Sequence, residues 1–383
     1  MMNHKKRTVY LVVQHLCPGG IEVLAIKMIE KLSALYDVQI IALEGSKAEA
    51  IQKWPILENH EDHITCLDKK AGLSPLALLK LLYLFIRHRP IAVHTHHIGP
   101  LLYGGLAARL IGVQSLIHTE HDGWHLQENG KLQTKIIKHL KPKMIAVANH
   151  VGECVARHCN TDKPHTIYNG IDKSYYNEGN KAPARTQLAL PNDRRIIGCA
   201  GRIEEVKGQR YLIEALQYLP KDINVAIAGD GSLKNEIETY AKELNLQSRT
   251  HFLGRLDEMK CFYHALDVFC LPSLNEGFPL SPLEAQSCGI PAVLSDVGGC
   301  GEALCPDTGL LAEAGNAENL SQKLLSALNA KRAVSPRNFI LKHFDLAEMA
   351  GHYATLYQGD HAQKTIKFSK INQLKTPTLC EER

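Results

Sequence analysis

The feature that most constrains this chain is an alternation that occurs twice. Short runs of β-branched and apolar residues are each followed by a longer segment whose apolar residues recur at helical spacing. Thr8–Val13 is such a run, and the turn Cys17-Pro18-Gly19-Gly20 leads from it into a helical pattern from Ile21 to Leu35. Val38–Leu43, Ile91–Thr95, Gln114–His118 and Met144–Ala148 continue the series, with helices expected over Pro75–His88 and Gly99–Leu110. A second series has strands at Arg195–Ala200, Val225–Ala228, Thr250–Leu253, Val268–Leu271 and Ala292–Ser295. Its helices are expected over Lys207–Leu219, Leu233–Leu244, Leu280–Cys288 and Asn316–Asn329. Runs this short and this apolar, separated by helices, fit parallel strands buried on both faces. The expected fold class is α/β, with two doubly wound domains and a cleft between them.

The length agrees, since 383 residues suit two domains of roughly 100–200 residues each, or three. The boundary falls at the Asn169-Gly170 turn signal, giving an N-terminal domain over 1–166 and a C-terminal domain over 167–345. The tail 361–383 is polar, carries Lys364, Lys367, Lys370 and Lys375 without periodicity, and reads as a disordered end.

Composition excludes several classes. A net charge of +4 is too small for a nucleic-acid binder. The eleven cysteines are odd in number, scattered through apolar segments and contain no C-x-x-C pair, which reads as reduced thiols in a cytosolic protein. The apolar stretch after MMNHKKR is too short for a signal peptide. The most hydrophobic run, Leu76 to Ile86, is interrupted by Lys80 and falls short of the ~20 residues of a membrane span. The expected location is cytoplasmic.

In open α/β sheets ligands bind beyond the carboxyl ends of the strands, so the loops after the strands are the candidate sites. The strongest is Asn275-Glu276-Gly277-Phe278-Pro279-Leu280-Ser281-Pro282-Leu283-Glu284. A helix starting near Leu280 leaves the N–H groups of Gly277, Phe278, Leu280 and Ser281 at its N-terminus, where a phosphate is favoured. Glu276 and Glu284 suit sugar and ribose hydroxyls, because carboxylates accept hydrogen bonds in pairs. The plainer alternative is a charge at a helix N-terminus and a surface glutamate. After the strand ending at Ala200, Gly201 permits a close turn, and Arg202 and Lys207 project two cations that suit a diphosphate. A solvated charge pair near Glu204 and Glu205 is the alternative there. Gly229-Asp230-Gly231-Ser232 is a weaker signal, much of which capping by Ser232 explains.

In the first half, Gly19-Gly20 follows the first strand and allows close backbone approach. The spacing is not G-x-G-x-x-G. Six histidines crowd the same half: His94, His96, His97, His118, His121 and His125. The run His94–His97 is extended, so its side chains are expected to diverge, and no H-E-x-x-H pattern supports a metal site. His118 is expected to close its strand ahead of a polar loop, Thr119–Asp122, where it meets a ligand or serves as a capping or solvent-facing residue.

Taken in order, Gly19-Gly20, His118, Gly201-Arg202…Lys207, Gly229-Asp230-Gly231 and Glu276…Glu284 resemble the motifs of retaining glycosyltransferases of the GT-B fold, family 4. The stretch from Glu276 to Val293, with its Gly289-Ile290-Pro291, is especially similar, and the resemblance covers about residues 8 to 360. It implies two Rossmann-like domains facing across a cleft, with a C-terminal helix near 346–360 returning to the first. It also implies residue roles. Arg202 and Lys207 match the cations on the leaving diphosphate, Glu276 the carboxylate on the donor sugar, and Glu284 the one on the ribose. Leu280 and Ser281 match backbone donors to phosphate, His118 matches the cleft histidine, and Gly20, Gly277 and Phe278 fall among the donor-binding positions. No metal and no cofactor are implied, and the chain has no Asp-x-Asp motif.

The reaction implied is sugar transfer with retention from a UDP- or GDP-sugar to a glycan or lipid-linked glycan, with cell-surface polysaccharide or lipopolysaccharide synthesis as its setting. Two segments suit either a peripheral contact with the inner membrane surface or a normal buried helix with solvated ends. Pro75–Arg89 combines Leu76, Leu79, Leu82, Leu84 and Phe85 with Lys80, Arg87 and Arg89; Lys131–Lys143 carries five lysines around Ile136 and Ile137. The alternatives are a nucleotide-sugar epimerase or a phosphorylase on the same fold, or an inactive sugar-nucleotide-binding subunit. No motif marks the pyridoxal lysine of a phosphorylase, and the complete set Arg202, Lys207, Glu276 and Glu284 argues against the inactive subunit.

Overall fold

The computed structural model of the chain describes residues 6–331 and 334–359. The expected tail over 361–383 lies outside the described residues. The chain divides into two compact units, one running to Asn169 and resuming at Ala347, the other spanning Gly170–Leu346.

In the first unit the apolar runs become seven strands: β1 (Arg7–Val13), β2 (Tyr36–Ala42), β3 (Ile64–Cys66), β4 (Ala92–His96), β5 (Ser115–Glu120), β6 (Lys143–Ala146) and β7 (His165–Thr166). They pair in the order β3-β2-β1-β4-β5-β6-β7, and every pairing is parallel. Helices cover both faces, which is why Val9 to Val13 are buried without interruption. The second unit repeats the plan with β8 (Arg195–Ala200), β9 (Ile223–Ala228), β10 (Thr250–Gly254), β11 (Val268–Leu271), β12 (Ala292–Ser295) and β13 (Leu310–Ala312). Their order is β10-β9-β8-β11-β12-β13, again parallel throughout. In each sheet the winding reverses once, between β1 and β4 and between β8 and β11. Ligand crevices of doubly wound sheets open at the carboxyl ends flanking such a reversal.

The last described helix, Leu346–Tyr357, packs on the first unit. Tyr357 donates or accepts at His94 Nδ1 (2.9 Å), and Tyr353 meets Thr119 Oγ1 (3.0 Å). Tyr36 donates to the Ala354 carbonyl at 3.1 Å.

Several expectations need correction. β5 runs on to Glu120, so His118 lies inside a strand rather than at its end. The helical stretch after β4 contains a π turn at Leu101–Gly105. Ser232 does not cap the helix Lys234–Glu243; its hydroxyl donates to Glu204 Oε2 at 2.6 Å instead. On helix Pro75–His88, Phe85 is fully buried and Leu82 and Leu84 are half-buried. They cannot share an exposed amphipathic face with Leu76 and Leu79.

Phe85 stacks on Tyr10 of β1 with ring centroids 5.3 Å apart, inside the cluster that fills one face of the first sheet. Phe85→Ala should cost about 3–5 kcal/mol through the cavity it leaves. Denaturant unfolding of the variant beside wild type checks this, and a loss under about 1 kcal/mol would mean that the site collapses around the smaller side chain.

Candidate functional site

In the second unit, four loops leave the carboxyl ends of β9, β8, β11 and β12 side by side. Their backbones interlock. Gly201 N–H donates to the Ala228 carbonyl (3.0 Å), Ile203 to Asp230 (2.9 Å), Leu274 to Val206 (2.8 Å) and Gly299 to Gly277 (3.0 Å). Two glycines make this approach feasible. Gly208 has φ +64°, and a Cβ there would lie 2.1 Å from the Pro272 carbonyl oxygen. Gly298 has φ +54°, and its Cβ would fall 1.7 Å from the carbonyl oxygen of Glu276. Any other residue would push the loops apart.

The interlocked loops bring together side chains far apart in sequence. Lys207 Nζ donates to Glu276 Oε1 at 2.6 Å, across 69 residues. Ser273 Oγ donates to the same oxygen at 2.7 Å. Glu276 is only 7% exposed, so its carboxylate requires a compensating cation, and Lys207 is that cation. Beneath them burial pushes the Cys199 thiol up to about 12, which keeps it neutral. Arg202 is on the surface of the same loop; its carbonyl accepts from Gln209 Nε2 at 2.9 Å. Among the described residues its guanidinium takes no side-chain hydrogen bond or ion pair. The pair Arg202 and Lys207 therefore divides into one solvent-facing cation and one already engaged.

Helix Leu280–Ser287 begins where the sequence places it. Its N-cap, Pro279, supplies no side-chain cap, which leaves the first-turn N–H groups of Leu280 and Ser281 to solvent or a ligand. Phe278 is buried against Phe344 with ring centroids 5.5 Å apart, so it anchors the loop. Gly277 acts through its carbonyl, tied to Gly299. Glu284 faces two tyrosines that sequence reasoning missed: Tyr263 donates to Oε2 at 2.5 Å, and the Tyr176 hydroxyl lies close enough to act on the carboxylate. Burial raises the Glu284 pKa, and these two hydroxyls pull it partly back. Tyr176 lies in the connection after β7 and Tyr263 on the helix Met259–His264, and no local motif links either to Glu284.

The first unit holds a second polar group at the ends of β4 and β5. His118 is fully buried; Nδ1 meets Thr95 Oγ1 at 2.9 Å and Nε2 lies 3.6 Å from Glu120 Oε2. Glu120 also accepts from Gln133 Nε2 at 2.5 Å, and His125 Nε2 lies 3.7 Å from its other oxygen. Burial pushes this carboxyl up, but the closeness of His118, then of His125, and the hydrogen bond from Gln133 outweigh it and hold it at about 2. His94 and His96 do not diverge. Residues i and i+2 of a strand share a face, and their rings sit 4.2 Å apart. Burial lowers His94 to about 3 and His96 further below its usual value, so both are neutral. His96 Nδ1 pairs with His121 Nε2 at 2.8 Å. Among the described residues no group of three or more His, Cys, Asp or Glu is arranged to hold a metal ion.

Gly20 is the first residue of helix Gly20–Leu32, capped by Gly19 in an extended conformation. Glu22 stands in the first turn of that helix and is buried. It brings a carboxylate to a terminus that Gly19-Gly20 alone would present as bare backbone.

Two family models match the chain in succession: Glycosyltransferase Family 4 over residues 18–175 and Glycosyl transferases group 1 over residues 180–340. Among similar proteins is an Escherichia coli UDP-Gal:α-D-GlcNAc-diphosphoundecaprenol α-1,3-galactosyltransferase. It is 28% identical over 302 residues, covering 67% of this chain and 77% of that protein. The E. coli O-antigen biosynthesis glycosyltransferase WclY is 35% identical over 135 residues, 35% of this chain and 38% of its own length. The crystal structure of Anabaena HepE in complex with UDP superposes with a TM-score of 0.76 at 20% identity, covering 91% of this chain and 98% of that one. That likeness shows the fold.

On the ribose and sugar roles that the resemblance implies, a titration with UDP separates the two glutamates. Glu284→Ala should weaken binding by about 1–3 kcal/mol, the cost of a lost buried hydrogen bond. Glu276→Ala releases Lys207 and should leave affinity for the free nucleotide unchanged or raise it. Isothermal calorimetry decides, and equal losses in both variants would contradict the assignment.

Proposed function

Since the chain belongs to the glycosyl transferases group 1 and has the GT-B fold, we propose that it transfers a sugar, with retention, from a UDP-sugar to a lipid-linked glycan. The single observation that carries the mechanism is the Lys207–Glu276 pair beside the N-terminus of helix Leu280–Ser287. A nucleotide sugar brings a partner for each half. Its diphosphate takes over Lys207, joined by Arg202 and the N–H groups of Leu280 and Ser281. Its sugar hydroxyls satisfy Glu276, which the departing lysine would otherwise leave buried and unpaired. Glu284 takes the ribose.

As the bond from the sugar C1 to the phosphate oxygen breaks, the electron pair leaves with the nucleoside diphosphate. The two cations and the helix terminus neutralise that growing charge, in a site preorganised before substrate arrives. The acceptor hydroxyl forms the new C1–O bond from the same face, and its proton passes to the departing phosphate oxygen. His118, fully buried and fixed by Thr95 and Glu120, orders the polar group of the first unit in this reading. Phosphate charge is met by side-chain cations and backbone donors, so the reading requires no divalent metal.

Uridine as the base is supported by the UDP bound to HepE and the UDP-Gal of the E. coli relative. The lipid-linked acceptor is supported by the diphosphoundecaprenol acceptor of that relative and the O-antigen role of WclY. A cytoplasmic setting at the membrane surface belongs to the same reading: the ten described cysteines are free thiols, and no described helix is long and apolar enough to cross a membrane.

The test is a calorimetric screen of UDP, GDP, ADP and their sugars with EDTA present, followed by transfer to a polyprenyl-diphosphate-linked sugar and assignment of the product anomer by NMR. UDP preference, binding in EDTA and an α-linked product from an α-linked donor are expected. An inverted product, or binding restored only by Mg²⁺ or Mn²⁺, would overturn it.

A further inference from the structure

Helix Pro75–His88 is apolar on two opposite sides. Ala77, Leu81 and Phe85 turn into the core of the first unit. On the outer side Leu76, Leu79, Tyr83 and Ile86 follow one another at helical spacing with exposures of 61, 61, 59 and 58%. Leu73, just before the helix, is 85% exposed. A surface helix ordinarily presents polar residues to water there. Scattered exposed leucines mean nothing, but a contiguous stripe marks an interaction site.

The surroundings of the stripe are basic. Between residues 69 and 152 the chain carries eleven lysines and arginines; Lys69 is buried against Glu44 and Lys70 is paired with Asp68, while Lys80, Arg87, Arg89, Lys131, Lys135, Lys138 and Lys141 are exposed. Glu120 is fully buried and Asp122 is bound to His125, so neither offsets the outer charge. Arg87 and Arg89 are exposed at the end of the apolar helix. Helix Leu106–Ile111 packs against it and adds Leu110, 61% exposed. The next residue back, Arg109, donates to the carbonyls of Leu140 and Lys141 at 2.5 and 2.6 Å. That contact joins the apolar stripe to helix Leu126–Leu140, where Lys131, Lys135 and Lys138 are exposed, with Lys141 following.

We propose that this face docks on an anionic lipid bilayer, with Leu73, Leu76, Leu79, Tyr83 and Ile86 entering the headgroup–acyl boundary and the flanking cations meeting lipid phosphates. An apolar stripe bordered by exposed cations is complementary to such a surface. A second copy of this chain is disfavoured, because a two-fold contact would bring the same cations together. The inference deepens the lipid-linked acceptor reading by naming the surface that meets the membrane. Its test needs neither donor nor acceptor, so the two ideas fail separately.

Cosedimentation of the full chain with phosphatidylcholine vesicles, and with vesicles containing about one third phosphatidylglycerol, reads the proposal directly. Wild type should bind the anionic vesicles at least roughly tenfold more strongly, with affinity falling as salt rises. Leu79→Ser/Ile86→Ser and, separately, Lys135→Glu/Lys138→Glu should each reduce binding by about tenfold or more with an unchanged melting temperature. All four side chains are on the surface, so loss of folding is not expected. Binding by both variants equal to wild type would overturn the proposal. So would a wild type that ignores both vesicles yet sediments as a dimer that Leu79→Ser/Ile86→Ser dissociates, which would assign the stripe to a second copy.

Discussion

The ammonium of Lys207 against the carboxylate of Glu276 ties the loop after β8 to the loop after β11, across the point where the second sheet reverses its winding. Much of the site depends on that contact. A carboxylate 7% exposed is costly without a cation, and removing one partner of a buried pair is worse than never having built it. The pair therefore holds both loops in register before a ligand arrives. It also stores the cation and the carboxylate that a nucleotide sugar would use, each screened by the other. On the proposed reading, substrate binding is an exchange of partners rather than the burial of new charge, which keeps the cost of assembly low.

The rest of the second unit fixes the loops on either side of that pair. Gly208 and Gly298 let carbonyl oxygens of neighbouring loops pass at distances no side chain would permit. Phe278 anchors the loop by packing on Phe344, and the Glu284 carboxyl is framed by Tyr176 and Tyr263. The first unit builds its polar group differently. Glu120 is held ionised by His118 and His125 in a fully buried setting, while His94, His96 and His121 are kept neutral by burial. An ionised carboxylate and a neutral histidine network thus lie side by side at the ends of β4 and β5.

Strand and helix alternation was legible because parallel strands buried on both faces leave uninterrupted apolar runs, as at β1 and β8. The boundaries of Pro75–His88 and Arg195–Ala200 are those the residues predict, and helix Leu280–Ser287 starts at its predicted first residue. The three-residue strands β3 and β13 were not legible, being too short for any periodicity. Contacts set by tertiary packing were equally hidden. Nothing in the sequence pairs Lys207 with Glu276 or surrounds Glu284 with tyrosines. A strand that continued two residues further turned His118 from the last residue of its strand into a buried interior one. Helix Pro75–His88 shows the limit of periodicity most clearly. A segment apolar all round has no unique inner face until its neighbours are placed, so the stripe ending at Ile86 could not be told from the core.

The most direct measurement is the steady-state kinetics of Lys207→Ala with a competent donor and acceptor. If Lys207 neutralises the departing diphosphate, its contribution grows as the bond to C1 breaks, and kcat should fall by on the order of 10²–10³ with a smaller change in donor KM. A kcat within about threefold of wild type would contradict the account, leaving Lys207 as no more than the structural counter-ion of Glu276.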